Sequence, residues 1–235
     1  MANLVSIDQV GGKIKVHSGI TATVDREFNA PGSVPVPTEA TFDGENLISL
    51  DWVDGLIFVH DKITAAIIDS FLSPTGNQPI GAAYCDGNLV SGEDWFTKTY
   101  IHHGVSAIVD SSFNNPSGWV ECLAYDWKTG NLISARFGTG AGAHKIYVHD
   151  KITAAVLDSW NTTKANLSGI CFDGTNIITQ EFDMAGNHFI IIYEGVSSTV
   201  KSSFPIYNGI CGITVDVYGA LATLAGWPYH DWAGD

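Results

Sequence analysis

One position recurs along the chain, and it constrains the fold more than any other feature. His17, His60, His102, His149 and Tyr193 follow one another at steps of 43, 42, 47 and 44 residues. The same wording surrounds each of them. Residues 46–71 read NLISLD, a short turn, then IFVHDKIT, and close on Ser70-Phe71. Residues 3–28, 88–113, 131–160 and 176–204 repeat that plan, ending on Phe28, Phe113, Trp160 and Phe204. A second unit precedes four of these blocks: TEATFDG, IGAAYCDG, CLAYDWKTG and GICFDG. Its fifth copy, GITVDVYG, stands alone near the C-terminal end.

Each period holds four short β-rich runs parted by turn residues such as Asp43-Gly44, Asp54-Gly55 and Asp173-Gly174. No window carries the i, i+3, i+4, i+7 spacing of a sizeable amphipathic helix. Four strands recurring every ~43 residues imply an all-β, five-bladed β-propeller of four-stranded antiparallel blades. We name the strands A (FDG-type), B (NLIS), C (IYVH) and D (IIDSF), from channel to rim. The first blade lacks strand A at its N-terminal side, and residues 209–216 supply it. The ring is therefore expected to close by pairing the two ends of the chain, which hides edges an open sheet would expose. Expected boundaries are 1–33 plus 209–226 for blade 1, then 34–77, 78–118, 119–164 and 165–208. Both Asn3-Leu4-Val5-Ser6 and the stretch 220–226 suit strand B of the closing blade; the first matches the motif better.

Composition narrows the function classes. Of 235 residues, 45% are hydrophobic and only 15% charged, which excludes disorder. A net charge of −14 disfavours nucleic acid and anionic membrane surfaces, because both need basic patches. No apolar run reaches membrane-spanning length, so no membrane insertion is expected. The opening Met-Ala-Asn-Leu-Val-Ser-Ile-Asp has neither the basic segment nor the apolar core of a secretory signal. Synthesis in the cytoplasm is expected, with action on a virion or cell surface. Cys85, Cys122, Cys171 and Cys211 show no CxxC spacing; free, buried thiols are expected, since the sulfurs fall at different offsets along strand A.

The unit GICFDGTNIIT with IYVHD and a closing Ser-Phe resembles the NHL and streptogramin-lyase-like propeller repeats. Blade number and length are also similar to the tachylectin-type lectins, without their Trp-rich wording. Short repeats of this form further resemble phage and bacterial surface-recognition proteins. The resemblance spans nearly the whole chain but rests on blade-forming residues, which carry fold and not activity. The His-plus-acid magnesium site of streptogramin lyases has no residue-by-residue match. Five-bladed glycosidases place three carboxylates in the channel mouth; here strand A offers Glu39 and Glu121 among Gly81, Ser168, Gly169 and Gly212.

Two constellations bear on chemistry. The recurring histidines share their blades with Ser6, Ser49, Ser91, Ser134 and Thr179, and with the acids Asp8, Asp51, Glu93 and Glu181. A catalytic triad needs to exist once, whereas a blade-stitching network needs to exist everywhere, so recurrence favours the network. The second set follows strand B: Asp51-Trp52, Glu93-Asp94-Trp95, Arg136-Phe137 and Glu181-Phe182. A carboxylate beside an aromatic ring suits a sugar, the acid taking hydroxyls and the ring its apolar face. The glycine-rich stretch 138–143 lacks the Gly-Lys-Ser/Thr of a phosphate loop and reads as an enlarged B–C turn. The expectation is a non-catalytic module binding glycans or a surface receptor weakly and multivalently on the B–C face. No cofactor, metal ligand or catalytic residue is assigned. The alternatives are a structural virion propeller and a lyase or hydrolase with an acidic channel mouth.

Overall fold

The computed structural model describes residues 3–93, 97–116, 118, 120–136, 144–207 and 209–216, and all regular structure among them is strand. Blade 1 holds β1 (Asn3–Asp8), β2 (Lys13–His17) and β3 (Val24–Asn29); blade 2 holds β4 (Pro37–Phe42), β5 (Leu47–Asp51), β6 (Leu56–His60) and β7 (Ile67–Leu72). Blade 3 follows with β8 (Pro79–Cys85), β9 (Asn88–Glu93), β10 (Lys98–His102) and β11 (Val109–Asn114). Blade 4 is β12 (Val120–Asp126), β13 (Asn131–Arg136), β14 (Lys145–His149) and β15 (Val156–Asn161). Blade 5 is β16 (Asn166–Phe172), β17 (Ile177–Phe182), β18 (His188–Tyr193) and β19 (Val200–Ile206), and β20 (Ile210–Asp216) comes last. β20 pairs antiparallel with β1 from Asn3↔Asp216 to Asp8↔Ile210, giving the sheet order β20-β1-β2-β3. The chain thus closes a five-bladed propeller by joining its ends, with Asn3–Asp8 as strand B. Stretch 220–226 lies outside the described residues.

The repeat wording has a local cause in each blade. The Asn that opens strand B accepts, through Oδ1, the amide of the residue at the C–D turn: Gly19, Lys62, Gly104, Lys151 and Gly195. Those turn residues have positive φ, which lets the chain double back after the histidine. Strands A to C are mostly buried, while the D strands expose their first three or four residues and turn one aromatic inward. Each such aromatic packs on the next blade: Phe28 on His60 at 5.8 Å, Phe71 on His102 at 6.0 Å, Phe113 on His149 at 5.9 Å and Trp160 on Tyr193 at 6.3 Å. At the closing junction Tyr207 stacks on His17 at 6.3 Å.

Every strand A carries a β-bulge at one level, so that two of its residues face one on strand B. The extra residues are Thr38, Ile80, Glu121, Ser168 and Cys211. The next level holds Glu39, Gly81, Cys122, Gly169 and Gly212, where neighbouring A strands approach most closely. A Cβ built on Gly212 would lie 2.5 Å from the Thr38 carbonyl oxygen and 2.7 Å from Glu39 Cα, whereas one on Gly81 would meet nothing nearer than 3.3 Å. Gly212→Ala should therefore cost about 1–3 kcal/mol in urea unfolding, by overpacking against backbone, and Gly81→Ala clearly less. Removing residues 207–235 takes away β20 and Tyr207 and should abolish the cooperative transition; a truncated chain as stable as the full one would contradict closure through β20.

Candidate functional site

The geometry of the histidines decides between triad and scaffold. Ser6, Ser49, Ser91 and Ser134 each place Oγ 2.8 Å from Nε2 of His17, His60, His102 and His149. Nδ1 of His60, His102 and His149 lies 2.7 Å from the carbonyl oxygens of Thr64, Ser106 and Thr153. A carbonyl only accepts, so Nδ1 carries the proton and Nε2 accepts from the serine. The groups are buried and no carboxylate orients the ring, unlike a triad. In blade 5, Tyr193 replaces the histidine and donates to Glu181 Oε1 at 2.6 Å, joined there by Thr179 at 2.8 Å. These five sets stitch strand B to strand C.

The carboxylates expected to face a ligand are turned into the scaffold. Asp51 accepts the amides of Val36, Val53 and Asp54 at 2.8–3.0 Å and is 1% exposed. Glu93 accepts the Thr75 amide at 2.9 Å, and Glu181 Oε2 accepts the Lys164 amide at 2.7 Å; both are buried. Burial raises the Glu181 pKa, and the Tyr193 hydroxyl works against that rise. An acid at the end of strand B finds the amides of the adjoining loop, which holds these carboxylates in the scaffold. Arg136 ends β13 opposite Lys145. Trp52 and Phe182 are half-buried, and Phe182 stacks on His188 at 5.1 Å. Asp94, Trp95 and Phe137 lie outside the described residues, as do residues 138–143 and the tail's Trp227, Tyr229, His230 and Trp232.

Among the described residues, two cavities lie along the axis, separated by the level of Glu39. The larger, about 960 Å³, opens at the A–B turns. Phe42, Tyr84, Tyr125 and Phe172, each the penultimate or last aromatic of its strand A, form its walls with Thr41 and Thr214. Trp127, from the longer A–B turn of blade 4, stands at the rim, 52% exposed, edge-on to Phe172 at 6.5 Å. Three turn acids are spent at this end: Asp43, Asp126 and Asp173 each cap the amides of their own turns. In blade 3 the turn shrinks to Asp86-Gly87, with φ of 47° and 88°, the two-residue turn that Asp-Gly favours. Asp86 is thereby free of that capping duty, and it is the one carboxylate among the described residues lining the funnel. It lies beside the Tyr125 hydroxyl, whose pKa burial and Asp86 together push up.

The smaller cavity, about 260 Å³, opens at the B–C end and is lined by all five bulge residues, with Phe182 and His188. Between the two, Glu39 is wholly buried and accepts the amides of Ala40 at 3.2 Å and Ile213 at 3.0 Å. Desolvation drives its pKa well above the ordinary 4.5, with Cys122 facing its carboxyl. The cysteines are free; Cys85, Cys122 and Cys171 are buried, while Cys211 is half-buried, because its bulge turns it into the smaller cavity. Among the described residues no three His, Cys, Asp or Glu side chains form a metal-binding group.

With this geometry in view, known proteins offer a comparison. No family model matches the chain, and no curated protein matches it in sequence. Solved structures do resemble it. A chain of a mitotic checkpoint complex aligns over 86% of this chain and 62% of its own, with a TM-score of 0.52 and 17% identity. Kuenenia stuttgartiensis hydrazine synthase aligns over 88% and 64%, at 0.56 and 14%. Myxococcus xanthus glutaminyl cyclase aligns over 84% and 82%, at 0.56 and 15%. The chain spans less than two thirds of the first two, and at such identities the likeness is one of fold. Two enzymes and a checkpoint assembly on one architecture leave function to the site.

Buried titrating groups give the ring a pH signature. Desolvation holds His17, His60, His102 and His149 below their ordinary 6.5. The unfolded chain then takes up protons first, so stability is full above 6.5 and falls as pH drops from there toward the folded values. Glu39 acts with the opposite sign: its contribution is full below 4.5 and is lost as pH rises toward its raised folded value. Urea midpoints measured across pH should fall on the acid side. Glu39→Gln, which mimics the protonated acid, should make the alkaline decline shallower and leave the acid limb as it was.

Proposed function

We propose that this propeller is a non-catalytic recognition module that binds a carbohydrate in the aromatic funnel at the A–B turns. The observation that carries the reading is the union of an exposed Trp127 at the rim with walls of Phe42, Tyr84, Tyr125 and Phe172. A pyranose has apolar C–H faces, which stack on rings, and hydroxyls, which need polar partners at the edges. Asp86 and the threonine hydroxyls supply those partners. The volume lies within the range of small-molecule sites. Glycoside cleavage uses a pair of carboxylates flanking the bond, and a funnel whose described lining holds one supports recognition over hydrolysis. A surface receptor decorated with glycans is the partner this chemistry suits, and action on a virion or cell surface is compatible with it.

The B–C face remains the competing location, with Trp52 as its described aromatic. A glycan array followed by calorimetry on the best hit separates the two. Trp127→Ala should weaken binding about tenfold or more, in keeping with an aromatic anchor, and Asp86→Asn several-fold, with Trp52→Ala unchanged. All three should melt within a few degrees of the parent. Loss through Trp52→Ala alone would place the site on the B–C face. An array with no hit would favour the structural reading of the ring.

A further inference from the structure

We propose that the small cavity at the B–C end is a second, independent ligand site, which takes a guanidinium-type organic cation. Thr38 donates its hydroxyl to the Pro79 carbonyl at 2.7 Å, and the Cys211 thiol points to the Pro37 carbonyl at 3.0 Å. Ser168 donates to the Gln180 side-chain oxygen, and Gln180 Nε2 donates to His188 Nδ1 at 2.7 Å. These hydroxyl and thiol hydrogens are spent on the scaffold, so the threonine and serine present lone pairs to the cavity, beside the donors that Gln9 and the His188 Nε2–H contribute. Glu121 adds a carboxylate to the same wall. A cavity rich in acceptors favours a ligand rich in N–H donors.

Shape and charge narrow the class. Phe182 and His188 stack on one another with planes 17° apart, which leaves an outer ring face of the stack on which a planar cation can lie. Burial holds His188 below its ordinary pKa despite Asp183, which disfavours a positive charge on the imidazole. The chain's −14 draws cations toward the mouth. About 260 Å³ is room enough for the head of such a ligand. Equivalent bulge positions in the other blades hold Thr38, Ile80 and Cys211, so Glu121 and the Ser168–Gln180–His188 chain are peculiar to one side of the ring.

Titrating the full chain with methylguanidinium at moderate salt, by calorimetry and by NMR shifts, tests this. Urea serves as the neutral planar control and tetramethylammonium as the cation without N–H donors. Methylguanidinium should bind, Glu121→Gln should weaken it at least about tenfold, and Phe182→Leu several-fold. Both controls should fail, and Trp127→Ala, at the opposite mouth, should bind as the parent does. Absence of methylguanidinium binding overturns the proposal. So does equal binding by tetramethylammonium, which would show surface charge alone, or affinity unchanged in both Glu121→Gln and Phe182→Leu. Because the glycan test reads the other mouth, either proposal can fail without the other.

Discussion

The serine–histidine hydrogen bond inside each blade is what the rest of the ring leans on. It locks strand C onto strand B through buried side chains, in addition to the ladder between their backbones. It also holds the imidazole as a neutral plate, and the aromatic from the preceding blade's strand D packs against that plate. One polar contact thus sets both the order within a blade and the seam between blades. The fifth blade shows what the position requires. Tyr193 takes the histidine's place and Glu181 the serine's role as partner, and Trp160 still packs on the substituted ring. Blade 1 solves the same problem at the chain ends, where Tyr207 stacks on His17 and also reaches Ser6 at 2.8 Å.

The second constraint is the close approach of five A strands around the axis. Glycine at 81, 169 and 212 lets backbones meet, and the space left beside Gly212 is filled from blade 2 by Glu39. A carboxyl there is tolerable because two amides donate to it, and desolvation raises its pKa and so favours the neutral form. The bulge just before it turns one side chain per blade toward the axis. Those two levels divide the channel into a wide aromatic mouth and a narrow polar one.

Most of the fold was legible because a period of about 43 residues exposes itself by self-comparison, with no outside reference. The orphan strand A at one end and the gap at the other were enough to read closure, and Asn3-Leu4-Val5-Ser6 as strand B follows from its motif. The histidines' scaffolding role was legible too, by the argument that catalysis needs one copy. What could not be read was side-chain direction. Asp51 and Glu181 sit beside aromatics in sequence, yet their oxygens turn back onto neighbouring amides, a choice set by turn geometry. Trp127 carried a faint signal: CLAYDWKTG has a longer turn than its sister units. The Ser168–Gln180–His188 chain had no such signal, since its three members come from different strands and meet only through register.

A repeat protein offers its own internal comparison, and the two mouths give opposite results. At the end of strand A the equivalent residues are Phe42, Tyr84, Tyr125 and Phe172, with Val215 as the exception. At the bulge they are Thr38, Ile80, Glu121, Ser168 and Cys211: two hydroxyls, an apolar chain, a carboxyl and a thiol. Backbone environment is nearly the same at all five bulges, so the fold does not demand that spread. Positions where structure is equivalent and chemistry is not are where a symmetric scaffold has room for an asymmetric ligand. The aromatic mouth, nearly uniform around the axis, suits a partner that presents similar faces from several sides. The polar mouth suits a small ligand bound in a single orientation, with the carboxylate of Glu121 setting which end enters first.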